Sequence, residues 1–172
     1  MAILKFRGEQ SNFPQNTVLH KTNLIGIMDL ILRCFIAGLG AGIAYTIING
    51  VFFVAGVLPS TLTHYSAKLV MPPGTPITTL ALTMGGIADI AASFTGAILI
   101  ELIFRWTGKD LFWFKGLAVG GVLWLVHVSF IPAIVPRVFE TLPPSMVVAS
   151  LILSVLWGLI VGVALRYLPE PN

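Results

Sequence analysis

Five side chains stand out as able to do chemistry in surroundings almost free of polar groups: Asp89, His127, Asn49, Ser150 and Ser154. A carboxylate within GGIADIAASFTGA, an imidazole within LWLVHVSFIPA and an amide within YTIING can bond one another, or pass a proton from acid to base. Two roles suit these residue types. As a hydrogen-bonding group Asp89 joins helices; as an acid that releases and regains a proton, with His127 passing it on, it serves ion or proton movement. Ser150 or Ser154 with His127 and Asp89 also makes a Ser/His/Asp set on paper, but no oxyanion donor accompanies it. HExxH, GxSxG, a P-loop and a strand-borne GxGxxG are all absent. One carboxylate between Ile77 and Ile100 is short of the pair an aspartyl protease needs. A non-enzymatic protein without cofactor is therefore expected. The single cysteine, Cys34, allows neither an internal disulfide nor a zinc site of the CxxC type, so no metal is expected either.

The elements that must position these residues follow from composition. Of 172 residues, 56% are hydrophobic and 10% charged, against roughly 25% charged in an average soluble domain. Four runs approach the ~20 apolar residues needed to cross a bilayer as a helix. Residues 34–58 carry no charge, 77–100 carry only Asp89, 116–135 have His127 as the one ionisable group, and 145–165 have none. The expectation is an all-α integral membrane protein with four transmembrane helices arranged as two hairpins. Spans at about 34–58, 77–104, 111–135 and 145–166 make a transmembrane domain of 34–168, followed by a short tail of 169–172. The preceding segment, 1–33, begins polar and becomes amphipathic in LHKTNLIGIMDLILR. That spacing predicts a helix lying on the inner membrane surface or running into span one, with the surface placement preferred.

Basic residues orient the chain. Lys5, Arg7, Lys21, Arg33, Arg105, Lys109, Lys115 and Arg166 fall on one side of the spans, and Lys68 and Arg137 on the other. The positive-inside rule then places both termini in the cytoplasm. Trp106, Trp113 and Tyr167 fit an aromatic belt at the same border, and Glu101, four residues before Arg105, reads as half of a surface ion pair there. Basic residues at span ends meet lipid headgroups, so membrane lipid is the expected partner and nucleic acid is not.

Depth ties the polar residues together. Asn49 lies 16 residues after Arg33, Asp89 lies 16 before Arg105, Ser150 lies 16 before Arg166, and His127 lies 16 after Leu111. At 1.5 Å per residue all four fall about 24 Å from the basic border, in one layer near the midplane. Each also sits on a stripe of small residues, including Gly38 and Gly42, Gly116 and Gly120, and Gly158 and Gly162, which let membrane helices approach closely. Asp89 is thus expected to face inward, bonded by Asn49, His127 or Ser150. Pro132, having no N–H, should free the carbonyl of Val128 beside His127. Close-packed faces with almost no soluble domain point to a homo-oligomer or a subunit of a membrane complex.

The stretches FWFKGLAVGGVLWLVHVSFIPAIVP and LILSVLWGLIVGVAL carry a Gly-x-x-x-Gly-x-x-x-Trp approach to span three, a Pro-containing exit, and a Trp-Gly-x-x-x-Gly span four. In these motifs the chain resembles small four-helix membrane proteins of the YqhR type from endospore-forming bacteria. The resemblance leaves out the first outer loop and the N-terminal extension. It implies a multi-pass protein of the bacterial cytoplasmic membrane and brings no activity, ligand or functional residue with it.

Overall fold

A computed structural model describes the backbone of residues 15–72, 74–134 and 143–169, with side chains from residue 26 onward. All regular structure in these residues is helical. Helix α1 (Gln15–Val54) is followed by a short α2 (Leu62–Val70), then α3 (Thr79–Thr107) and α4 (Phe112–Leu125). A π-helical turn, Val126–Phe130, and a four-residue helix α5 (Ile131–Ile134) extend α4, and α6 (Pro144–Tyr167) closes the bundle. Four stretches are long and apolar enough to cross a membrane: Gly26–Val54, Thr79–Thr107, Phe112–Ile134 and Pro144–Tyr167.

The first span begins earlier than the apolar run suggests. The amphipathic segment and span one form one unbroken helix of 40 residues: no proline falls within it, and Gly26 is carried inside the helix and does not end it. At its other end α1 stops at Val54, where the chain turns through Gly56 with φ +73°. That left-handed conformation suits glycine, which carries no Cβ to clash.

Packing follows the small residues. Helix α6 is the most buried of the four spans and α4 the least. Gly116 and Gly120 of α4 lie directly on the backbone of Gly158 and Ser154 of α6, and Gly158 faces Gly116 and Gly120 in return. A Cβ on Gly162 would lie 2.8 Å from the Phe112 carbonyl oxygen, and one on Gly38 would lie 2.9 Å from Cα of Phe94. Lipid offers no hydrophobic drive for association between helices, so such backbone-to-backbone contact is what holds them. Two core clusters result. One lies toward the end holding Arg33, Arg105 and Arg166, called here the basic end, and includes Cys34, Ala97, Ile100, Phe104, Trp157 and Leu165. The other lies toward the α2 end and joins Leu58 and Leu62 to Met146, Ala149 and Leu153.

Helix α2 falls in a segment whose Pro and Thr content reads as a connection between spans. Its stop signals are nonetheless in the sequence: Thr61 precedes it as N-cap, Lys68 occupies its last turn, and Pro72 follows it. After Gly56 the chain folds back alongside α1 rather than leaving the bundle. The amides of Val57 and Leu58 donate to the Phe52 carbonyl, at 2.9 and 3.3 Å, and Leu58 and Leu62 pack with Tyr45, Ile48 and Phe52. Helix α2 is thus re-entrant, and it starts level with Asn49, about one and a half turns before the end of α1.

Candidate functional site

Asn49 is buried, at 2% exposure, and its Oδ1 accepts a hydrogen bond from the amide of Leu62 at 3.2 Å. Leu62 is the first residue of α2, whose Thr61 N-cap makes no side-chain capping bond. A side chain from α1 therefore supplies the acceptor that a helix N-terminus requires. Asn49 Nδ2 has no partner among the described residues.

Asp89 is held by the same short helix. The hydroxyl of Thr63 donates to its Oδ2 at 3.1 Å, and the hydroxyl of Ser66 donates to its Oδ1. Thr63 and Ser66 are three apart on α2 and so present their hydroxyls side by side. Gly85, one turn before Asp89, permits the approach, since a Cβ there would lie 2.6 Å from the Thr63 carbonyl oxygen and 2.7 Å from the amide nitrogen of Ala67. The expected partners of Asp89 are replaced: neither Asn49, His127 nor Ser150 bonds it, because α2 occupies the space between them. His127 remains an electrostatic neighbour of the carboxylate, as does Tyr45.

A third tie reaches α4. Within the π-helical turn the amide of Ile131 donates to the carbonyl of Val126, five residues earlier. In that register the carbonyl of His127 would look to residue 132, which is proline and has no N–H. The hydroxyl of Tyr65 donates to it instead, at 3.0 Å. Pro132 thus does release an acceptor to another helix, but the one taken is His127, one residue earlier than an α-helical register predicts. Burial pushes the Tyr65 phenol up from its usual value to about 12. The His127 ring turns along its own helix, Nδ1 donating to the Leu123 carbonyl at 2.8 Å.

Asn49, Asp89 and His127 therefore meet at α2, each from a different span. Ser150 and Ser154 do not join them. Ser150 Oγ accepts from Trp124 Nε1 at 3.0 Å and donates to the Val147 carbonyl at 2.8 Å, whereas Ser154 contributes its backbone to the contact with Gly120. Ser93, on the stripe below Asp89, donates to the Gly38 carbonyl and accepts from Trp157 Nε1, both at 2.6 Å. Among the described residues no three of His, Cys, Asp and Glu converge on a point.

Toward the basic end lies a second polar group that sequence reading places on the surface. Glu101 is 3% and Arg33 6% exposed. Their Oε1 and Nη1 atoms are 3.3 Å apart, Arg33 Nη2 donates to the Leu165 carbonyl at 2.8 Å, and Arg105 Nε approaches the same Oε1 at 3.5 Å. The pairing with Arg105 is thus present, but Glu101 is a buried residue and not a surface one, tying α3 to α1 through Arg33, which in turn bonds α6. Arg33 Nε and Glu101 Oε2 have no partner among the described residues.

No protein-family model, curated protein or solved structure matches this chain.

Proposed function

We propose that the protein is a non-enzymatic, multi-pass subunit of the bacterial cytoplasmic membrane, structural or accessory in role, whose polar layer holds a re-entrant helix in place for a partner. The observation that carries this reading is the pair of hydrogen bonds to Asp89: each of its oxygens accepts one from an α2 hydroxyl. Asn49 and the His127 carbonyl complete a three-point seat, so the polar layer serves to fix the position of α2. The cytoplasmic membrane is the setting implied by the resemblance to YqhR-type proteins, and the positive-inside rule puts the basic end and both termini in the cytoplasm.

A second reading rests on the attachment of Asp89 and His127 to the same short helix, Asp89 through the hydroxyls of Thr63 and Ser66 and His127 through its carbonyl bond from Tyr65. In it Asp89 exchanges a proton with the outer side and α2 is the gate. The two readings part on one substitution. Asp89→Asn keeps the shape and can still bond the α2 hydroxyls, but it carries no exchangeable proton near neutral pH. As a seat, Asp89→Asn accumulates and resists detergent like the parent, while Asp89→Leu strands two hydroxyls and is less stable by about 1 kcal/mol, given roughly 0.6 kcal/mol per interhelical bond in membrane bundles. The measurement pairs detergent stability with pH-driven flux in proteoliposomes. Normal stability with abolished flux in the Asn variant would reject the seat in favour of the carrier.

A further inference from the structure

The bond between Ser66 and Asp89 belongs to a longer row of oxygens. Ser66 Oγ lies within reach of two acceptors, Asp89 Oδ1 and the Leu62 carbonyl, the latter at 3.4 Å, and a hydroxyl has one hydrogen to give. Turned to Asp89, it leaves the carbonyl without it. At the other end of the carboxylate, Oδ2 takes its hydrogen from Thr63. Thr63 Oγ1, Asp89 Oδ2, Asp89 Oδ1, Ser66 Oγ and the Leu62 carbonyl therefore follow one another, and the three contacts between side chain and partner share two hydrogens. The row has a place for a third.

The same site carries a charge that nothing among the described residues offsets. Asp89 lies ten residues inside α3, about 15 Å from its start, and the ion pairs among the described residues are those of Glu101 with Arg33 and Arg105. Two titratable groups face Asp89 from other helices, Tyr45 of α1 and His127 of the π-helical turn. Neither bonds it, and His127 Nδ1 gives its hydrogen to the Leu123 carbonyl. Helix α2 turns Thr63 and Ser66 toward the carboxylate, while its own titratable side chains lie elsewhere: His64 bonds Thr61, Tyr65 bonds the His127 carbonyl, and Lys68 is exposed. An ionised carboxylate in an apolar span is costly. A proton both removes that charge and supplies the missing hydrogen.

We propose that the seat is a proton-binding site, in which a proton on Asp89 Oδ1 is donated to Ser66 Oγ and the Ser66 hydrogen turns to the Leu62 carbonyl. The proton comes from water, one O–H bond forms at Oδ1, and the carboxylate becomes a neutral acid. Each of the three contacts then holds one hydrogen. With the proton off, the charge is relieved only by water, which enters when α2 lifts. The closed seat thus holds the proton more firmly than the opened one, so acid favours the seated α2 and alkali releases it. Such a site presupposes the seat described above and makes pH its regulator, with Ser66 as the positioning residue.

The test uses the full chain in detergent, with infrared difference spectra and thermal stability recorded across pH. The wild type should show the carbonyl band of a hydrogen-bonded carboxylic acid that Asp89→Asn lacks, and should lose that band and stability in one step as pH rises. Ser66→Ala takes away the acceptor of the acid proton and should lower the midpoint of the step by about one pH unit, a tenfold weaker hold on the proton. Ser66→Thr keeps the hydroxyl and should titrate like the parent. An acid band missing from the wild type at every pH, a stability step that survives in Asp89→Asn, an unchanged midpoint in Ser66→Ala, or a step that moves with sodium concentration at constant ionic strength would each overturn the proton site, the last by giving it to a metal cation. None of these results touches the seat, which fails instead if Asp89→Leu is as stable as the parent.

Discussion

Glu101 stands four residues from Arg105, the spacing of an ordinary helical ion pair, yet its closer partner is Arg33, 68 positions earlier in the chain. Burial changes what that pairing means. An exposed pair adds a few tenths of a kcal/mol, whereas removing one member of a buried pair leaves an uncompensated charge and costs about 3–5 kcal/mol. Glu101→Leu should therefore lower stability in a denaturant titration by that amount. The double variant Arg33→Leu with Glu101→Leu should recover most of it, since replacing a buried pair by apolar groups is often neutral. A double variant no better than the single one would mean that the Arg33 bond to the Leu165 carbonyl, and not the ion pair, holds α1 to α6. Asp89 lies 12 residues before Glu101 on α3, about 18 Å along the helix, too far for the two carboxylates to act as a dyad.

At the scale of elements, α2 carries the most consequence for its length. It has nine residues, of which only Leu62 and Ala67 are buried, and a helix this short is marginal by itself. Its stability comes from the three spans it touches. The close approach at Gly85 is the most sensitive of these contacts, because the atoms a side chain would strike belong to the α2 backbone and cannot rotate away. Gly85→Leu should lift α2 off α3 and release Thr63 and Ser66 from Asp89, while the four spans remain folded. With Cys34 replaced by alanine and a reporter cysteine at Ala67, which is fully buried, thiol labelling should accelerate about tenfold or more as local opening becomes cheaper. Unchanged labelling would show that α2 is held by something other than the Gly85 contact.

For the whole molecule, the decisive property is which way round the bundle sits. Arg105 and Arg166 lie in the last turns of α3 and α6 at the same end of the bundle as Arg33, and Lys115 donates to the carbonyls of Thr107, the last residue of α3, at 3.2 Å and of Gly108, its C-cap, at 2.9 Å. With the basic end in the cytoplasm, a reporter fused after Asn172 is expected to be active in its cytoplasmic form and one inserted at Thr141 in its exported form. The reverse pattern would turn the molecule over and put the α2 seat on the cytoplasmic side.

Four spans and the small-residue faces between them were legible in the chain itself, whereas the start of the first was not, since α1 already runs from Gln15. Length, hydropathy and the spacing of Gly116, Gly120, Gly158 and Gly162 are local quantities, and a bilayer forces apolar runs of that length into helices. Asp89 was equally conspicuous, as one carboxylate in a run of small and apolar residues. What bonds it was not legible, because Thr63 and Ser66 lie in a segment whose composition reads as a connection, and only the chain's return past Gly56 brings them to α3. The same holds for Pro132: its missing N–H is a property of the residue, but which carbonyl it frees depends on the π-helical register around His127. Arg33 gives the sharpest contrast. Its charge counts toward orientation in any reading of the sequence, whereas its burial between α1, α3 and α6, with an Nε that has no partner among the described residues, is decided only when three helices distant in sequence close around it.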